Sequence, residues 1–111
     1  MIKNPHFIAE LKYRSTEQGG RKTPAASGYR PQVKFDFEEM QTSGNQKFIG
    51  TELVYPGEIV IAEITVLSPQ LFEGKLEIGM EFEFREGPRV IGTGKIMEVA
   101  NKTLERKKAS T

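Results

Sequence analysis

His6 is the single imidazole of the chain, and there is no cysteine. A nucleophile triad would need that histidine held by a carboxylate and facing a serine or threonine. At the polar side of the first alternating run, it reads as a surface residue. The missing thiols remove disulfides, thiolate metal sites and cysteine nucleophiles together, and one imidazole removes every site that needs two. Glu81 and Glu83 stand two apart in an alternating run. Both carboxylates then share one strand face about 7 Å apart, a gap that a water could fill in acid/base hydrolysis. Alternating glutamates on a solvated face are the commoner origin of that pattern. No loop has the aspartate-rich spacing that calcium needs. Gly92-Thr93-Gly94-Lys95 looks like a phosphate loop and fails its pattern, because Arg89 stands where the first glycine belongs and Ile96 where Ser or Thr belongs. Met97 occupies the third glycine position of the dinucleotide fingerprint. No cofactor is expected. Arg21, Lys22, Arg30 and Lys34 interleave with Tyr29 and Phe35. Bases among aromatics can grip phosphate while the rings stack; the competing reading is a strand whose aromatics face the core.

Strands must hold these residues, for the dominant period is two. Phe7, Ala9, Leu11 and Tyr13 alternate with His6, Ile8, Glu10 and Lys12. Val33, Phe35 and Phe37 do the same, as do Val60, Ala62, Ile64 and Val66, and then Met80, Phe82 and Phe84. Successive strand side chains point to opposite faces, so each run reads as a half-buried strand. Ile91 to Val99 continues the pattern with Gly92 and Gly94 inside it, which points to a bulge or sharp bend. Turn signals fall between the runs at Gln18-Gly19-Gly20, Ser43-Gly44-Asn45, Tyr55-Pro56-Gly57, Ser68-Pro69, Glu73-Gly74 and Glu86-Gly87-Pro88. Short strands at this spacing predict an antiparallel sandwich or barrel. One helical turn is expected around Leu71 and Phe72. From Asn101 onward the periodicity is lost and the tail is expected to fray.

The length of 111 residues is one domain's worth, and 37% apolar residues with 11 glycines is an ordinary globular share. Disordered and membrane classes are excluded. The net charge of +1 supplies no global field toward nucleic acid or membrane. The distribution is uneven: residues 1–34 carry seven bases against two acids, residues 35–86 three against eleven, and residues 87–111 six against two. Terminal strands lying side by side would make a local basic surface, although solvated strand faces and a basic tail account for the same counts. The first residues hold no apolar export signal, so the cytoplasm is the expected compartment.

Four stretches together resemble the C-terminal barrel domain (domain III) of translation elongation factor Tu. They are Glu17-Gln18-Gly19-Gly20-Arg21-Lys22-Thr23-Pro24, Gly28-Tyr29-Arg30-Pro31-Gln32, Leu53-Val54-Tyr55-Pro56-Gly57-Glu58 and Arg85-Glu86-Gly87-Pro88-Arg89-Val90-Ile91-Gly92-Thr93-Gly94. The resemblance implies an all-β fold, a closed six-stranded antiparallel barrel with Greek-key connections, over residues 6–101. Residues 1–5 would be an N-terminal extension and 102–111 a basic C-terminal tail. It implies a non-catalytic binding module, without a GTPase domain in this chain, whose partner is the T-stem of tRNA or a translation-factor protein. The stem-contacting positions fall on Gln32, Ser43, Glu86 and Gly87, with Arg30 and Lys34 beside them. Positions that pack on the GTPase domain fall around Gly19, Gly20 and Arg21, and the exchange-factor surface near Leu53 and Tyr55. The chain departs from the resemblance in the small Ala25-Ala26-Ser27 and in the acidic Asp36, Glu38 and Glu39. The alternative is an interaction or assembly module that has left translation, which predicts an exposed apolar patch near Leu53, Tyr55 or Leu71-Phe72. A more remote reading is a small hydrolase using His6 or the Glu81/Glu83 pair.

Overall fold

The computed structural model describes residues 4–107. Residues 1–3 of the expected extension and 108–111 of the expected tail lie outside them. The alternating runs become the strands of a closed antiparallel barrel. These are β1 (Phe7–Tyr13), β3 (Gln32–Phe35), β4 (Thr42–Phe48), β6 (Ile59–Val66), β7 (Glu81–Glu86) and β8 (Arg89–Val99). Around the barrel they run β1-β6-β4-β3-β7-β8, and β8 closes back on β1. Neighbours β3–β4 and β7–β8 are hairpins, whereas the chain crosses over between β1 and β3 and between β6 and β7. Closure leaves no free edge in this sheet. Two short strands, β2 (Ala25–Ala26) and β5 (Leu53–Val54), pair with each other outside it and send Ala25 and Val54 into the core.

The inward residues of each run meet in an aromatic interior. Phe7, Phe35, Phe72 and Phe84 are fully buried. Phe82 stacks edge-on against Phe7 with ring centroids 5.6 Å apart, and Phe72 meets Phe35 at 5.1 Å. Each such pair adds about 0.5–1.5 kcal/mol beyond its buried area. Gly92 and Gly94 lie within β8, in extended strand and not in a loop. A Cβ on Gly94 would come within 2.2 Å of Phe82 Cζ, and one on Gly92 within 2.3 Å of Phe84 Cζ. The two glycines are the floor on which those rings lie. The register shifts expected of β8 do occur, opposite Phe84/Arg85 of β7 and Ile8/Ala9 of β1.

Four expectations are corrected. Ser43-Gly44-Asn45 is no turn: it lies in mid-strand of β4, where Gly44 faces inward and a Cβ would stand 2.5 Å from Val33 Cγ2. The run ending at Phe37 stops as a strand at Phe35, because the Glu38 N–H closes a turn onto the Phe35 carbonyl at 3.3 Å. The helical turn arrives as a 3-10 turn at Pro69–Phe72, but Phe72 is buried and Leu71 only half-exposed, so neither of these two side chains is the exposed surface that was expected. Nor does the tail fray from Asn101. Lys75 and Leu76 N–H both donate to the Leu104 carbonyl at 3.0 and 2.8 Å, and Arg106 N–H returns to Leu76 at 2.7 Å. Leu104 is fully buried as a result.

Candidate functional site

Three of the motif stretches converge on one cluster. The turn at residues 15–20 needs Gly20, whose added Cβ would stand 2.3 Å from the Arg14 carbonyl oxygen. It delivers Arg21 to Glu86 at the end of β7, where Arg21 Nη1 donates to Glu86 Oε2 at 2.6 Å. The Tyr29 hydroxyl donates to the same oxygen, and the Arg21 guanidinium lies 4.6 Å over the Tyr29 ring. Burial alone would raise the Glu86 carboxyl. The donors Tyr29 and Arg21, with the charges of Arg21 and Arg89, instead hold it below its ordinary 4.5. Burial, and then its bond to Glu86, pushes the Tyr29 hydroxyl up. Tyr29 also abuts Tyr13, with ring centroids 6.4 Å apart. The Tyr13 hydroxyl in turn donates to the buried Gln46 side chain. These residues clasp the 15–30 segment onto the barrel, so Arg21 and Glu86 are engaged within the molecule.

Next to the clasp runs an outward polar strip. Gln32 of β3 pairs with Ser43 of β4 on one side and with Arg85 of β7 on the other. The turn at Gly87 follows, with a positive φ of 59° that a glycine adopts without strain. Arg85 is ion-paired with Glu83, and Lys34, opposite Glu83 in the register, donates to its neighbour's carbonyl at Phe35. Arg30 is exposed and makes no hydrogen bond or ion pair among the described residues. The strip thus has a free cation at one end. At the other is the loop of Asp36, Glu38 and Glu39, whose Phe37 packs on Phe35 and Phe72 with Lys75 5.7 Å from its ring centroid.

The remaining candidates lie elsewhere. His6 Nδ1 accepts the Val66 N–H at 2.9 Å. Glu83 is half-buried against Arg85, and Glu81 is exposed opposite Lys95. Leu53 and Tyr55 are 44% and 52% exposed, and Ile49 is exposed too; the Ile49 N–H donates to the Ile61 carbonyl at 2.9 Å. Among the described residues, no group of three or more His, Asp or Glu could hold a metal ion. No helix there is long and apolar enough to cross a membrane.

Residues 2–100 match the elongation factor Tu C-terminal domain family. The chain belongs to that family. As an elongation factor Tu C-terminal domain it is a translation-factor-like binding module built on a β-barrel. Gln32, Ser43, Glu86 and Gly87, expected from the resemblance to meet a stem, lie on β3, β4, the end of β7 and the turn after it, with Gln32 registered between Ser43 and Arg85. Gly19, Gly20 and Arg21, assigned by resemblance to a domain contact, build the clasp here. Sequence reasoning did not find Asn45 and Thr65, which pair across β4 and β6 and continue the polar surface past Ser43. Neither residue type carries a signal of its own, and β4 lacks the apolar alternation that would have placed Asn45.

Proposed function

We propose that this barrel binds structured RNA of the translation apparatus, the T-stem of a tRNA, along the Ser43–Gln32–Arg85 strip. The observation that supports this reading is the two-sided pairing of Gln32, with Ser43 on one side and Arg85 on the other. Phosphate neutralisation dominates RNA affinity. Arg30 is the cation available for it, since Arg21 and Arg85 are already paired. We read the module as non-catalytic, because His6 Nδ1 is engaged by the Val66 N–H and Glu83 by Arg85 of its own strand, and we keep the cytoplasm as its expected compartment. Fluorescence titration of bulk aminoacyl-tRNA at low and physiological salt tests the reading. Saturable binding that weakens with salt is expected, and no binding at either salt refutes it.

A second reading rests on a separate observation: Leu53, Tyr55, Ile49 and Ile59 are all exposed apolar residues. Contiguous exposed apolar area marks interfaces, and a translation-factor protein would dock there. Leu53→Glu with Tyr55→Glu should abolish such a complex and leave tRNA affinity unchanged.

A further inference from the structure

We infer that the outer face of β1 and β6 is where a second copy of this chain packs, sheet against sheet. β6 begins Ile59-Val60-Ile61-Ala62, apolar on both faces, a pattern that belongs to a strand covered on both sides. The barrel covers one side only. Val60 and Ala62 are buried inside, whereas Ile59 is 59% exposed and Ile61 half-buried on the outer face. The apolar surface extends to both neighbouring strands. On one side the exposed Ile49, just past the end of β4, donates its N–H to the Ile61 carbonyl at 2.9 Å. On the other, Ile8 of β1 alternates with the buried Phe7 and Ala9, so it faces outward, opposite Glu63. Contiguous apolar area on an outer surface marks an interface.

The charges on that face select its occupant. Glu10 stands opposite Ile61 and Lys12 opposite Ile59, and Lys47 stands opposite Glu63. None of the four is in an ion pair among the described residues. Two acids and two bases leave the face without net charge, so it holds no net attraction for RNA or for a strongly charged protein. It does match itself. With a two-fold axis running across the strands, between the Ile59–Lys12 row and the Ile61–Glu10 row, each Ile59 meets the other copy's Ile61. Each Lys12 then meets the other copy's Glu10. Both contacts occur twice, the reciprocity that an isologous interface requires. β1 stands three strands from β3 in either direction around the barrel. The strip centred on Gln32 therefore stays uncovered, and this inference is independent of the RNA reading. It competes with the second reading for Ile49 and Ile59, and it leaves Leu53 and Tyr55 out.

The test uses the full chain. Sedimentation velocity from about 10 μM to about 1 mM should show the mass doubling as concentration rises. Ile59→Glu should abolish the dimer, and because Ile59 is exposed the variant keeps its core. Glu10→Lys and Lys12→Glu should each weaken self-association by about tenfold, since each sets like charges together twice. Mixed in equal amounts, those two variants should dimerise with each other, because every cross-copy contact is again between opposite charges. A chain that stays monomeric throughout overturns the inference and leaves Ile49 and Ile59 to a translation-factor protein. So does a dimer that survives Ile59→Glu, or one that breaks on Leu53→Glu with Tyr55→Glu, since either result places the contact elsewhere. If Ile59→Glu breaks the dimer but the two mixed charge variants do not associate, the two-fold pairing is refuted.

Discussion

Tyr29 and Arg30 are consecutive in the chain and belong to two adjoining regions of the molecule. Tyr29 turns inward to the clasp, where its hydroxyl and Arg21 both donate to one Glu86 oxygen. Arg30 turns outward, exposed and without a hydrogen bond or ion pair among the described residues. The clasp side chains bond one another, and Arg30 does not. Residues that make the family recognisable therefore divide into those that hold the barrel's outer segment in place and those that such holding exposes. Being in a motif does not say which. What decides is whether the side chain's hydrogen-bonding capacity is met within the fold.

The largest effect that sharpens this contrast belongs to Gly20. Gly20→Ala places a Cβ 2.3 Å from the Arg14 carbonyl oxygen and 2.9 Å from that of Ser15. Backbone cannot yield as a side-chain tip can, so the 15–20 turn must deform and withdraw Arg21 from Glu86. A loss of about 3 kcal/mol in denaturant unfolding is expected. Gly28→Ala is a companion with nothing within 4 Å of the new Cβ, although its φ of +98° still strains an alanine. An equal loss in both variants would show that strain alone, and not the close approach, governs this side of the barrel.

Next come the clasp side chains. Tyr29→Phe and Glu86→Gln should each cost about 1–2 kcal/mol, at the modest end because the Glu86 carboxyl keeps access to solvent. Because they share one hydrogen bond, the double variant should cost less than the sum. Strict additivity would mean that the two residues act separately and that there is no clasp. The pH dependence has a definite sign. Glu86 titrates below its ordinary 4.5 in the folded chain, so its contribution is full above that value and is lost as pH falls through the folded one. Tyr29 titrates above its ordinary 10.0, so its contribution is full below that value and is lost as pH rises beyond it. The stability gap between the parent chain and Glu86→Gln should therefore be flat near neutrality and close in acid. A gap that widened in acid would contradict the assignment.

How much of this could be read in advance follows from the same division. Strands β1, β3, β6, β7 and β8 were legible because their inward residues are apolar and alternate with polar ones. β4 was not. Its inward residues are Thr42, Gly44, Gln46 and Phe48, so three of four carry no hydrophobic signal. Gly44 is small because Val33 fills its space, and Gln46 is tolerated inside because the Tyr13 hydroxyl donates to it. The tail at Leu104 was missed for a related reason, since a single buried leucine has no period. The clasp joins residues 57 and 65 positions apart, a separation that no local pattern reports. The resemblance named the residues of the strip, but nothing local in the sequence told that Arg21 and Glu86 bond each other.

The smallest expected change in stability is also the sharpest test of the contrast. Arg30 is exposed and unpaired among the described residues, so Arg30→Ala removes no buried contact and should alter unfolding by less than about 0.5 kcal/mol. Its neighbour, changed as Tyr29→Phe, should alter unfolding several times more while leaving Arg30 in place. Measured side by side on the same two assays, the pair should cross over: Tyr29→Phe moves the denaturation midpoint and barely moves tRNA affinity, whereas Arg30→Ala does the reverse. If Arg30→Ala lowered stability as much as Tyr29→Phe, the guanidinium would be holding the fold, and the strip would lose the cation on which its phosphate binding depends.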